Sequence, residues 1–376
     1  MVKTSTLPGT DRPGTDKLLG LEGLRFLATF GVLLWHYQHF AFVGSNPVGF
    51  VRSALPFYGV FFPLYEAGRY GVWMFWCISG FIFFWKYREA ISDRSIGGWA
   101  FFVFRVSRLY PLHFATLLLV ALLQPLYHRL TGVFFVAQNN DLPHFIAQLF
   151  LASDWTPQRS DSFNAPIWSV SVEVLIYAAF FLTLRFVTKS PLFNLVVVLA
   201  CLNGGTQVAA CLAFFYAGGL AAIGRRFVAH ASYKRAIELT ALVAMIAVPI
   251  ATAILSLSIE IVDWVLLLAY TPVLLFWLSA PMTLPVRLER LFETAGNMTY
   301  SCYLLHFPIQ LAIALCFALA QQPIPYYSHL FWAAFVLPTL LASHVTYRYF
   351  EAPAQRLIRS ALLRKQRAGR TSPAPL

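Results

Sequence analysis

Charged side chains are scarce in this chain. They make up 12% of its 376 residues, against 59% hydrophobic, where soluble domains carry about 25% charged. That shortage excludes a soluble multidomain protein and leaves an all-α polytopic integral membrane protein. Close cysteine pairs are missing too. Cys77, Cys201, Cys211, Cys302 and Cys316 lie singly in apolar runs, which reads as small buried residues rather than a disulfide framework. No His/Cys cluster has the spacing of a metal site, so no metal is expected. No internal repeat is visible, which weighs against a transporter assembled from repeats.

What charge there is leans one way, with 28 Lys and Arg, 16 Asp and Glu, and a net charge of +12. Its placement along the chain accounts for it. Apolar runs occupy residues 24–43, 70–86, 109–126, 167–186, 192–202, 208–223, 237–257, 261–280, 299–320 and 330–347. Read as about ten membrane helices with both termini in the cytoplasm, they put 24 Lys and Arg inside and only Arg52, Arg69, Arg129 and Arg159 outside. This is the positive-inside pattern, and it removes the reason for a nucleic-acid partner. Residues 1–23 form a polar, disordered cytoplasmic tail, residues 24–350 the membrane domain, and residues 351–376 a basic cytoplasmic tail. Residues 50–65 are aromatic but broken by Pro56, Gly59 and Pro63, which suggests an interfacial or re-entrant segment.

Ionisable groups inside such runs are expensive and point to function. His36 lies in the first run, with His39 one turn on and Arg25 near its start. Imidazole enters a bilayer neutral and titrates near neutrality, which suits a catalytic base. Glu173 lies in the fourth run, and its depth below the outer surface, about 9 Å, is close to the roughly 10 Å of His36. The expectation is an imidazole–carboxylate pair of the catalytic-triad kind. Ser169, Glu173 and Tyr177 are spaced to share a face, whereas Ser171 points elsewhere. Arg105 and Arg108, three apart at an inner helix end, suit phosphate groups, or equally serve as a topological anchor. His306, at another depth from His36 and two residues before Pro308, reads as pore-lining or structural. Arg348 and Glu351, at the inner boundary, read as a local ion pair or a helix-end contact. Phe57, Tyr58, Phe61, Phe62 and Tyr65 form an interfacial belt or a platform for sugar rings, and the loop 127–166 is a second candidate for acceptor contact.

Taken in order, LEGLRFLATFGVLLWH, GVWMFWCISGF, RVSRLYP, WSVSVEVLIY, YSCYLLHFP and YRYFEAP resemble the membrane-bound acyltransferase 3 family from about Leu21 to Arg359. Trp73 stands where relatives often have Asp, and Val174 where they often have a second Glu. The resemblance implies an acyl-CoA-dependent O-acyltransferase of a bacterial inner membrane. The acyl group, acetyl in the simplest case, would pass to a glycan, lipid-linked oligosaccharide or glycoside at the outer face. It implies His36 and Glu173 as catalytic residues, Arg25, Arg105 and Arg108 as the acyl-CoA site, and Trp168, Ser171, Tyr177 and His306 as supporting groups. No bound cofactor is expected. Direct transfer with His36 as base, and a covalent acyl-histidine relay, both remain open. With no esterase-like domain after the last run, transfer is expected to finish within the membrane domain or to pass the acyl group to another protein. The competing expectation is a proton-coupled transporter of a sugar or acidic substrate, for which intramembrane His and Glu would form the relay.

Overall fold

The computed structural model describes residues 17–155, 161–202, 204–229, 231–255 and 267–371. The first 16 residues of the expected tail, Arg159, residues 261–266 of the eighth expected span and residues 372–376 lie outside the described residues.

Apolar runs become helices because a backbone without water must satisfy its N–H and C=O groups internally. The described helices, in chain order, are α1 (Leu19–His36), α2 (Tyr58–Ala67), α3 (Gly71–Ser92), α4 (Gly98–Thr131), α5 (Leu142–Leu149), α6 (Trp168–Leu182), α7 (Pro191–Cys201), α8 (Gln207–Val228), α9 (Lys234–Leu255), α10 (Leu267–Leu278), α11 (Val286–Asn297), α12 (Thr299–Leu319), α13 (His329–Thr346) and α14 (Ala352–Thr371). Strand structure among the described residues is one two-residue hairpin, Phe42–Val43 against Asn46–Pro47.

Among the described residues, five helical stretches are long and apolar enough to cross a membrane: Gly98–Thr131, Ala165–Val187, Gln207–Val228, Thr299–Leu319 and His329–Leu363. With several shorter apolar helices, they make a multi-pass membrane protein; the count of ten rests on the sequence alone. The α7 helix, with 11 residues, rises only about 16 Å, half a bilayer's hydrocarbon thickness. Other bounds move as well. The first helix starts at Leu19, inside the expected tail, and stops at His36, where a 3-10 turn, Tyr37–Ala41, takes over. The third expected run is the middle of a 34-residue helix, α4, about 51 Å long. Arg105 and Arg108 therefore sit well within α4 rather than at its start. The segment expected to be broken forms α2, which accommodates Pro63.

Helix packing uses small residues where backbones touch. On α3 and α8 the approach is so close that a Cβ on Gly80 would lie 1.8 Å from the Phe215 carbonyl oxygen, and one on Gly218 would lie 1.9 Å from that of Cys77. Around this seam Phe81, Phe83, Phe84, Phe180, Phe214 and Phe215 are buried. A second aromatic cluster joins α1, α2 and α13 through Tyr37, Phe40, Tyr65, Trp332 and Phe335. Between the two clusters, α1 and α12 lie side by side, and the polar groups of the interior gather there.

Candidate functional site

Because α1 ends at His36, its imidazole stands at a helix terminus, next to the 3-10 turn that carries His39. His36 Nδ1 lies 2.8 Å from His306 Nε2 on α12, with the rings near-parallel, 4.9 Å between centroids. The His39 ring stacks on the other side, at 4.7 Å. His306 Nδ1 lies 3.2 Å from the Cys302 carbonyl oxygen, one turn back on α12. A carbonyl only accepts, so in the neutral pair His306 Nδ1 carries the proton and Nε2 is its lone pair. His36 Nδ1 must then donate, which leaves His36 Nε2 as a free lone pair. Gln310 locks the same corner. Its amide nitrogen donates to the His36 carbonyl at 2.8 Å, and its oxygen faces His39 Nδ1 at 3.4 Å. His306, His39 and Gln310 are buried; His36 is only half-buried.

Glu173 is not the partner of His36. The titratable groups acting on His36 are His39 and His306. The hydroxyls of Ser79 and Tyr177 approach the Glu173 carboxylate, and the cations acting on it are Arg105 and Arg25. Its Oε1 is enclosed with no hydrogen-bond partner among the described residues, although the residue as a whole is half-buried. The reason is visible in how α6 meets α12. Ser169 Oγ bonds the Tyr303 hydroxyl at 2.7 Å, and that hydroxyl donates to the Pro166 carbonyl at 2.8 Å. Glu173 is a turn further in along α6, while His306 is nearly a turn further out along α12. Their backbone levels differ by on the order of 10 Å at helical rise. The reading of His306 as lying at an unrelated depth from His36 is likewise corrected, because α1 and α12 run parallel and bring the two imidazoles together.

Near the N-terminal ends of α1 and α12 the arginines form a second group. Arg25 donates to Glu22 at 2.8 Å and to Thr299 Oγ1 at 3.1 Å. Arg108 pairs with Glu351, which is buried and also accepts from Ser301 Oγ at 2.6 Å. Arg105 donates to the Tyr87 hydroxyl at 2.7 Å and lies over the Phe83 ring, 4.6 Å from its centroid. No carboxylate among the described residues pairs with it at ion-pair distance, and its Nε has no hydrogen-bond partner. Thus Arg25 and Arg108 are neutralised by direct ion pairs, and Arg105 answers to Glu173 at longer range. Glu351 is not paired with Arg348, as the sequence suggested, but reaches across to α4.

These levels are joined by α12. Thr299 touches Arg25, Tyr303 touches Ser169, and His306 touches His36. On α6 the matching face is Ser169, Glu173 and Tyr177, whose ring stacks on Phe83 at 4.3 Å. From Arg25 to His36 is eleven residues, about 16 Å along α1. A polar column therefore runs from guanidiniums, past a carboxylate and tyrosines, to a lone-pair imidazole nitrogen.

The other supporting residues do different work. Ser171 ties down the outer loop, accepting from Asp154 N at 3.1 Å while its carbonyl accepts from the Trp155 indole at 2.9 Å. Trp168 packs edge-on against Trp76. Phe57 and Phe61 pack on Trp332 and Tyr65 is buried; of that group Phe62, 52% exposed against 41% for Phe57, is the most open. His39 and Gln310 were missed as partners, although their spacings from His36 and His306 place each pair on one helix face.

Among the described residues no His/Cys/Asp/Glu group is arranged to hold a metal ion. No solved structure matches the chain. The acyltransferase MdmB of Streptomyces mycarofaciens is 28% identical over 191 residues, 49% of this chain and 43% of that protein. The chain thus aligns with less than half of that relative's length. The family model described as an acyltransferase domain, acyltransferase 3, matches residues 18–348. That stretch contains the histidine pair, Glu173 and the three arginines, and the chain belongs to the membrane-bound acyltransferase 3 family.

Proposed function

We propose that this protein is an O-acyltransferase. It takes an acyl group, acetyl in the simplest case, from cytoplasmic acyl-CoA and delivers it to a hydroxyl of a sugar-containing acceptor at the outer face of a bacterial inner membrane. The observation that supports this reading best is the hydrogen-bond chain from the Cys302 carbonyl through His306 to His36. It holds the His36 Nε2 lone pair at the outward end of a polar column whose inward end is cationic.

The acceptor hydroxyl gives its proton to His36 Nε2 while its oxygen attacks the thioester carbonyl. The C–S bond then breaks and the departing thiolate takes the proton back. The charge formed on His36 is shared with His306 through the Nδ1–H···Nε2 bond, because the His306 imidazolium keeps its other N–H on the Cys302 carbonyl. The same lone pair would also serve as the nucleophile of an acyl-imidazole route. Arg25, Arg105 and Arg108 hold the donor's phosphates, and Arg105 takes the largest share because it has no carboxylate in direct contact. Glu173 Oε1 lacks a donor, which an amide N–H of the donor's arm supplies as it passes.

The test is transfer of labelled acetyl from acetyl-CoA into membrane glycan by proteoliposomes of the wild type and His36→Ala. The variant is expected to lose at least 10²-fold in rate, within the 10²–10⁴ typical of a general base. Solute uptake without acyl-CoA consumption, lost on the same substitution, would instead support the transporter.

A further inference from the structure

We propose that Arg359, on α14, is a further donor-binding residue. It would contact the phosphates of the acyl donor together with Arg105 and Arg108. The proposal rests on the acyl-CoA reading above and adds the C-terminal helix to that site.

Arg359 lies outside the matched family region, eleven residues past its end, yet α14 packs back along α4 and brings it to the same place. Its Nε donates to Ser107 Oγ at 3.1 Å, and Ser107 stands between Arg105 and Arg108 in RVSRLYP. The guanidinium lies over the Phe104 ring, 5.4 Å from its centroid. Nε is thereby spent, and among the described residues no carboxylate pairs with the two terminal nitrogens. The titratable groups acting on Arg359 are Tyr87, which favours its charge, and Arg105 and Arg108, which repel it.

Three guanidiniums are thus held within electrostatic reach of one another, with Glu351 the one carboxylate among the described residues in direct contact with any of them. Such an arrangement is costly without an anion, and the planar forks suit phosphate oxygens. The aromatic floor and the Ser107 bond fix the Arg359 side chain, so little further ordering is needed to bind. A donor carrying several phosphates, as CoA does, fits this charge better than a single carboxylate.

The experiment measures equilibrium binding of CoA to the purified full-length protein in detergent, and steady-state transfer from acetyl-CoA and from acetyl-pantetheine, which carries no phosphate. Arg359→Gln is expected to weaken CoA binding and raise the KM for acetyl-CoA about tenfold or more, as loss of a charged hydrogen bond does. The KM for acetyl-pantetheine should not change, and Arg359→Lys should recover part of the loss. Unaltered CoA affinity in the glutamine variant overturns the assignment. So does an equal rise in KM for acetyl-pantetheine, which would mark a purely structural role. Wild-type protein that binds CoA through Arg359 but transfers no acyl group refutes the transferase reading and leaves the assignment standing.

Discussion

Removing His306 should slow the reaction without abolishing it, and the size of the effect follows from its hydrogen bonds. In the resting site His306 Nε2 accepts from His36 Nδ1 at 2.8 Å, a neutral bond worth about 1 kcal/mol net. When His36 takes the acceptor's proton, that bond becomes charge-assisted and is worth about 1.5–3 kcal/mol. His306→Ala loses the neutral bond at rest and the charged bond in the transition state; only the difference, about 0.5–2 kcal/mol, slows the step, so kcat should fall about 2–30-fold. The effect should be smaller than that of His36→Ala, and the KM for acyl-CoA should hold, because the arginine group lies some two helical turns inward along α12. His306→Gln refines the test. A glutamine oxygen can still accept from Nδ1 and keep the tautomer, but it cannot take a proton. A glutamine variant close to wild type would show that His306 only orients His36, and one as slow as the alanine variant that it also shares the charge. The assay is initial rate of labelled acetyl transfer in proteoliposomes at saturating donor. An alanine variant with the kcat of wild type would refute the reasoning, as would one as inactive as His36→Ala, since the second outcome makes His306 itself the base.

Three further outcomes are expected from the packing and the charges. A Cβ at Gly218 would meet the Cys77 carbonyl oxygen at 1.9 Å, whereas one at Gly224, on the same helix, meets nothing within 4 Å. Gly218→Ala should therefore destabilise the detergent-solubilised protein by about 1–3 kcal/mol and Gly224→Ala should not, by thermal unfolding; equal midpoints would remove the close-approach argument. Glu351→Ala strips Arg108 and Ser301 of a carboxylate that is 1% exposed, and about 3 kcal/mol of stability should go with it, read from the same transition; an unchanged midpoint would show that the pair is energetically idle. Asp141 caps α5, accepting from the His144 backbone N–H at 3.0 Å. That bond, then the His144 side chain, holds its carboxyl below the usual range. A lowered folded value means the cap's contribution is present above the unfolded pKa, about 3.9, and is lost as pH falls through the folded value. Amide exchange in α5 should accelerate below about pH 4, and Asp141→Asn should flatten that dependence; a wild-type profile in the variant would assign the acid sensitivity elsewhere.

The sequence was informative wherever one dimension suffices. Runs of apolar residues located the helices, since length and hydropathy act along the chain alone. They misplaced several ends. Nothing in the composition around Tyr37 announces that the α-helix yields to a 3-10 turn just after His36, and the first eleven residues of α4, mostly apolar but interrupted by Arg105 and Arg108, fall outside the expected run although they are helical. The family was legible for a similar reason, because its motifs are short and their order is itself one-dimensional.

Partnership was another matter, and Glu173 shows why. Topology supplies a residue's depth, which is one coordinate of three, while azimuth and neighbour order come from packing that no single run encodes. Glu173 and His36 have similar depths when each is counted from its own helix end, but helix ends are not level. The α6 helix is preceded by a 3-10 turn, Ala165–Ile167, and α1 gives way to another, Tyr37–Ala41, right after His36. Counting from fixed contacts instead of ends corrects the error, since Ser169 to Tyr303 and Thr299 to Arg25 are shared rungs between helices. On that ladder the carboxylate is too far in to hold His36 and close enough to serve Arg105. His306 takes the place by the imidazole because α12 runs parallel to α1. The substitution of a neutral imidazole for a carboxylate has a chemical consequence. The resting pair carries no charge, so burying it in the membrane interior costs far less than burying an ion. In the proposed reaction, charge would arise only as the hydroxyl proton is taken, which is when His306 would share it.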